Sequence, residues 1–161
     1  RGKRKAPSAE QLLRLGVTSA DEARYRRVEL RCGKHVLSKA DNWYVPKRLT
    51  AEMNRLLETT DTPFGKAVAA LQPFRQTIEA NVLWMPLPPG LECGADTSSP
   101  SKPAILNIPD EILQHRALLF TGEHVPFSEV REVYQDDALA FPMPACAVAS
   151  ARTVCTDAGA R

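Results

Sequence analysis

The chain has 161 residues, 43% of them hydrophobic and 25% charged, with a formal net charge of +2. That length supports one core of ordinary size and a single compact domain, and so small a net charge supplies no basic stripe for tracking a phosphate backbone, so no nucleic acid is expected to bind through this domain. No run reaches the roughly 18 to 20 apolar residues of a membrane span, and no signal-peptide core is visible; a soluble protein is expected, with the cytoplasm favoured and export left open because the chain opens on Arg rather than Met.

The one basic cluster, RGKRK at residues 1 to 5, sits at an end and reads as a disordered tail spanning residues 1 to 8. Ser8 followed by Gln11 has capping-box spacing ahead of an apolar run, and Gly16 stands where a helix would stop, so residues 9 to 15 are predicted as a short helix. From Tyr25 the residues alternate, Cys32-Gly33-Lys34 supplies a turn, and HVLSKADNWYV follows, which predicts a hairpin of strands at about 25–32 and 35–45. Thr50 caps a helix with Met53, Leu56 and Leu57 on one face, and Thr62 with Pro63 repeats the signal for a second.

Residues 74 to 88 alternate again, with Ile78, Ala80, Val82 and Trp84 on one side, and are predicted as a strand that ends in prolines, Trp84 facing the core. The stretch 89–104, rich in Pro, Gly and Ser, reads as a loop or lid. IPDEIL, from Ile108, predicts a turn of helix, and HRALLF and VPFSEVREVY on either side of Gly122 predict a second hairpin. Residues 141–161 show little periodicity and are expected to be a poorly ordered tail, so the domain proper covers 9–140. Hairpin joins imply antiparallel pairing, and the sum is an α+β domain, an antiparallel sheet flanked by short helices on one face.

Cys32, Cys93, Cys146 and Cys155 include no C-x-x-C pair and no His at ligand spacing, so neither a metal site nor a disulfide framework is expected. A Cys146–Cys155 pair would oxidise only in an exported chain.

The stretch from Leu15 to Thr50, LGVTSADEARYRRVELRCGKHVLSKADNWYVPKRLT, resembles the opening of the chorismate lyase-like superfamily, which includes chorismate pyruvate-lyases and the UTRA effector-binding domains of bacterial transcription regulators. TTDTPFGKAVAAL at 59–71 and HRALLFTGEHVPFSEVREVY at 115–134 are similar to that superfamily's next helix and closing hairpin. The resemblance implies a small, often carboxylate-bearing ligand held between sheet and helical flaps. For a lyase it implies conversion of chorismate to 4-hydroxybenzoate and pyruvate without metal or organic cofactor, with an Arg to grip a carboxylate and an acid near the leaving oxygen. At the lyase Arg position, four residues before Pro46, this chain has the uncharged Asn42.

Carried over in this way, Glu132 is the candidate acid, with Glu129 as its substitute on the opposite face of the strand. Asn42, Tyr44, Arg116 and Asp41 are the candidate ligand-binding residues. Asp41 and Asn42 also read as solvated strand-end residues, while Trp43 and Tyr44 beside them offer an aromatic wall. Arg116 shares a face with Leu118 and Phe120 and could replace the missing cation, with Glu132 as its expected partner on the adjoining strand.

The leading reading is a small-molecule-binding domain for an aromatic or cyclohexadiene carboxylate. An active lyase is the alternative. An effector domain of a regulator is a further one, on condition that the chain is a piece of a longer protein, because regulators carry a winged-helix domain ahead of the sheet and only residues 1 to 24 are available here. Composition and pattern leave the oligomeric state open.

Overall fold

Residues 5–86 and 106–140 are described by a computed structural model. Helix α1, Ala9–Leu15, starts where Ser8 Oγ accepts from the Gln11 N–H at 3.2 Å while Gln11 Oε1 accepts from the Ser8 N–H at 2.9 Å, so two orphan donors are satisfied reciprocally. It stops at Gly16, whose left-handed backbone (φ 60°) suits a residue without Cβ. Lys5 to Ser8, expected as the end of a tail, are fastened in part because the Lys5 carbonyl accepts from Trp43 Nε1 at 3.0 Å.

Strands β1, Arg24–Cys32, and β2, His35–Tyr44, form the first hairpin about Gly33 (φ 58°). Helix α2, Ala51–Thr59, is capped by Thr50 Oγ1, which accepts from the Met53 N–H. Helix α3, Phe64–Ala67, is a single turn with Pro63 as its N-cap. Thr62 was expected to cap it, but Pro63 is still extended (ψ 139°), so the helix begins one residue later and the Thr62 hydroxyl pairs with that of Thr60.

Strand β3 is Phe74–Val82, and β4, Glu111–Phe120, and β5, Pro126–Gln135, form the second hairpin. Every pairing is antiparallel and the order is β1-β2-β5-β4-β3. The turn of helix expected at Ile108 is absent: Glu111 pairs with Gln135 and Leu113 with Tyr134, so ladder hydrogen bonds override the local helix-start signal. The expected strand at 74–88 ends at Val82, and on this edge strand Ile78 and Val82 are 37% and 63% exposed, with Trp84 only partly buried beyond it. The expected loop 89–104 and tail 141–161 lie outside the described residues.

Side chains alternate along each strand, and the two faces of β2 carry different cores. Tyr44 packs with Met53 and Leu57 of α2, Phe64 and Ala67 of α3, and Phe127. Trp43 packs on the other side with Leu15, Val17 and Leu118. Fully burying a side chain of this size stabilises by roughly 1.5–3 kcal/mol. Phe127 joins the Tyr44 side because β5 bulges there: Leu119 faces Ser128 while Phe120 faces Pro126, leaving one residue extra. The sheet is therefore flanked by short helices on both faces. The expectation of one covered face holds for α2 and α3, whereas α1 crosses to the opposite side, drawn by contacts with β5 that no local pattern encodes.

Candidate functional site

The two faces divide the candidate residues. Asp41, Arg116 and Glu129 lie on the α1 face, and Asn42, Tyr44 and Glu132 lie on the α2–α3 face, because Trp43 stands opposite Glu129, Leu118 opposite Glu129, and Arg116 opposite Arg131, while Glu132 stands opposite Ala40 and His115. The expected Arg116–Glu132 partnership does not form. The odd spacing of three between Glu129 and Glu132 turns them to opposite sides.

On the α1 face, Glu129 has a side chain only 1% exposed. Arg14 of α1 grips it bidentately, Nε to Oε2 at 2.7 Å and Nη2 to Oε1 at 3.1 Å, and Gln11 Nε2 donates to Oε1 at 3.3 Å. The hydrogen bond to Glu129 raises Arg14 above the usual guanidinium range. Arg116 Nε approaches Glu129 only to 3.9 Å and Glu79 to 3.8 Å, and that buried nitrogen makes no hydrogen bond among the described residues. Arg131, directly across from Arg116, gives its Nε to the neutral Gln114 Oε1 at 3.1 Å.

These side chains wall a cavity of about 290 Å³ between α1 and the sheet, lined by Arg14, Trp43, Arg116, Glu129 and Arg131 together with Lys5. A second cavity of about 190 Å³, lined by Arg27, Lys39, Asp41 and Glu111, shares Lys5 and Arg131 with the first. Lys5 stands between them, Nζ 3.7 Å from Asp41 Oδ2 and 5.3 Å above the Trp43 ring. Asp41 accepts from the Tyr25 hydroxyl at 2.6 Å; burial, then this hydrogen bond, pushes the Tyr25 phenol up to about 12. Like charges directly opposite in a sheet are destabilising, and an anion bridging Arg116 and Arg131 would relieve that repulsion and satisfy the orphaned nitrogen.

On the other face, Asn42 and Ser128 are buried, and Asn42 Nδ2 and Ser128 Oγ have no hydrogen-bond partner among the described residues. Tyr44 closes the aromatic core, its phenol raised by burial and by the nearby Glu58 charge. Glu132 accepts from Ser38 Oγ at 2.8 Å and from Arg75 Nη2 at 3.3 Å, and Thr77 Oγ1 lies 3.0 Å from His115 Nε2. The uncharged Asn42 lies where a lyase Arg is expected, and the nearest cation on this face, Arg26, spends its guanidinium on the Thr62 and Thr60 carbonyls at 2.8 and 3.1 Å.

Sequence reasoning passed over Arg131, Lys5, Arg14 and Gln11. Arg131 was legible, since it lies two residues from Glu129 and so on its face. Arg14 and Gln11 gave no signal, because they meet Glu129 only through the docking of α1.

No protein-family model matches the chain. The uncharacterized protein y4mC of Sinorhizobium fredii is 47% identical over 120 residues, covering 74% of this chain and 50% of that protein, so the chain spans about half the length of this curated relative. Among solved structures, a transcriptional regulator of the GntR family from Enterococcus faecalis superposes with a TM-score of 0.52 at 12% identity, over 88% of this chain and 94% of that one. PhnF from Mycobacterium smegmatis gives 0.51 at 14%, over 89% and 60%. A structure described as the ligand-binding domain of a GntR-family transcriptional regulator from Bordetella bronchiseptica gives 0.50 at 16%, over 84% and 78%.

The chain therefore has an α+β fold of the chorismate lyase-like kind, an antiparallel sheet flanked by short helices. More particularly, that fold is the one the GntR-family regulators from Enterococcus faecalis and Bordetella bronchiseptica display. No helix among the described residues is long and apolar enough to cross a membrane.

Proposed function

We propose that this is an effector-binding domain whose ligand, a small organic anion such as a carboxylate, lies in the groove between α1 and the sheet. The observation that carries the reading is the pair Arg116 and Arg131, two guanidinium groups set opposite each other at a cavity wall, neither hydrogen-bonded to a carboxylate among the described residues. Bidentate Arg suits carboxylate recognition, Trp43 supplies an apolar wall, and the fold of the Bordetella ligand-binding domain is consistent with such a role. Within a longer protein, the domain would report ligand occupancy to another part of the chain, as in a regulator.

The lyase reading is the weaker one. It needs an acid and a carboxylate anchor on one substrate, yet Glu132 and Arg116 point to opposite faces, and Glu129, which does share the Arg116 face, is already held by Arg14 and Gln11.

Calorimetric titration with a panel of small carboxylates that includes chorismate and 4-hydroxybenzoate, with pyruvate assayed in the same mixtures, tests both. Saturable binding without pyruvate, weakened in Arg116→Gln and Arg131→Gln, is the expected result. Pyruvate release abolished by Glu132→Gln would overturn it, as would binding that both arginine variants leave unchanged.

A further inference from the structure

We infer that the ligand carries two anionic groups and that the smaller cavity holds the second of them: the groove takes a short aliphatic dicarboxylate, and Lys39 reads its far end. This rests on the ligand-binding reading above and deepens it.

Strand pairing lays the charges of the α1 face in rows. One row crosses all five strands as Glu79, Arg116, Arg131, Asp41 and Arg27, from β3 through β4, β5 and β2 to β1. Opposite charges alternate along it except where Arg116 meets Arg131, so the row holds one cation in excess, at the wall of the larger cavity. The next row on the same face, two residues along, runs Glu29, Lys39, Val133 and Gln114. Glu29 is taken by Arg31, with contacts of 3.0 and 2.6 Å to its Oε2, and Lys39 makes no ion pair among the described residues. This row too holds one cation in excess, and that cation lines the smaller cavity.

The full linings agree with the rows. The two cavities together present six cations, Lys5, Arg14, Arg27, Lys39, Arg116 and Arg131, against the four carboxylates of Glu10, Asp41, Glu111 and Glu129. A monoanion leaves one positive charge of the groove unbalanced, and a dianion leaves none.

Size points the same way. The cavities, at about 290 and 190 Å³, each fall below the roughly 300 Å³ at which small-ligand pockets begin, and they share Lys5 and Arg131. With strands about 4.8 Å apart and successive same-face residues about 6.8 Å apart, the Lys39 backbone lies roughly 10 Å from the midpoint between Arg116 and Arg131. Long Arg and Lys side chains close part of that span, which leaves room for two carboxylates about 5–6 Å apart, as in glutarate or adipate. Lys5 serves both ends. Its carbonyl is fixed by Trp43 Nε1 while its side chain is 54% exposed, so the ammonium can leave Asp41 for the ligand without moving the backbone.

Calorimetry on the full chain with glutarate, adipate and their monomethyl esters tests the second subsite, because the ester removes one charge and little else. Each diacid is expected to bind at least about tenfold tighter than its ester. Lys39→Gln is expected to remove that preference and leave ester affinity unchanged, whereas Arg116→Gln weakens diacid and ester alike. Lys39→Gln breaks no ion pair among the described residues, so the variant is expected to fold, which circular dichroism checks. Equal binding of diacid and ester would overturn the inference and leave the ligand-binding reading standing, and so would a preference that survives in Lys39→Gln. Failure of all four compounds to bind would also overturn it, and would take the ligand-binding reading with it only if the wider carboxylate panel failed as well.

Discussion

Arg14 Nε lies 2.7 Å from Glu129 Oε2, across 115 positions of sequence, and this contact pins α1 to the face of the sheet opposite α2 and α3. The carboxylate is buried and the guanidinium only a quarter exposed, so the pair is not a surface bridge of negligible worth. Removing one partner strands the other's charge.

Arg14→Ala is therefore expected to destabilise the fold by about 3 kcal/mol, because it leaves a buried carboxylate with only Gln11 as a hydrogen-bond donor. Glu129→Gln, which keeps shape and an acceptor oxygen, is expected to cost about 1–2 kcal/mol. The double variant should cost less than the sum, with a coupling of about 1–3 kcal/mol in urea denaturation. Additive effects would mean that α1 is not held by this pair.

Glu132 makes the contrasting case. Its partners Ser38 and Arg75 sit on the other face, Arg75 is 40% exposed, and the carboxylate is not completely enclosed. Glu132→Gln should change stability by less than about 1 kcal/mol and leave ligand affinity at the α1 groove unchanged. A large loss of affinity in that variant would move the ligand to the α2–α3 face.

For the groove itself, Arg131→Gln should weaken binding of a small carboxylate by about 10- to 100-fold, each factor of ten being about 1.4 kcal/mol. Fold stability should hold or rise slightly, because the variant removes a like-charge opposition. Calorimetry and thermal unfolding on the same preparation separate the two effects.

The balance between what was readable and what was not follows from range. Ser8 with Gln11, Gly16, Thr50 and the Gly33 turn act within four residues, so cap, stop and hairpin could be read directly. Period-two alternation placed Arg116 with Leu118 and turned Glu129 from Glu132. What alternation cannot say is which face receives which helix, and so the expected pocket mixed residues of both. Ile108 to Leu113 misled for the complementary reason: Pro109, Asp110 and Glu111 look like a helix start locally, while the Glu111–Gln135 pairing that decides the outcome spans the hairpin.

The last prediction concerns alkaline pH. All three tyrosines are shifted upward: Tyr25 to about 12 by burial and its bond to Asp41, Tyr44 by burial and Glu58, Tyr134 by burial and Glu132. For a group whose folded value is raised, the neutral form is the one the fold favours, so the stability it contributes is fully present below the ordinary phenol value near 10 and is lost as pH rises through the folded value. Tyrosinate absorbance of the native protein should thus lag behind that of free tyrosine, and stability should fall between about pH 10 and 12. Tyr25→Phe removes the largest of these shifts and should flatten that fall, at the expense of the phenol's hydrogen bond to Asp41. Because Asp41 also lies against Lys5 and Arg27, the same variant should free its carboxylate to pair more closely with those cations and alter anion affinity in the neighbouring cavity. A native titration centred near 10 for all three phenols would show that the Tyr25–Asp41 contact is open to water and that this wall of the groove is looser than its 2.6 Å hydrogen bond implies.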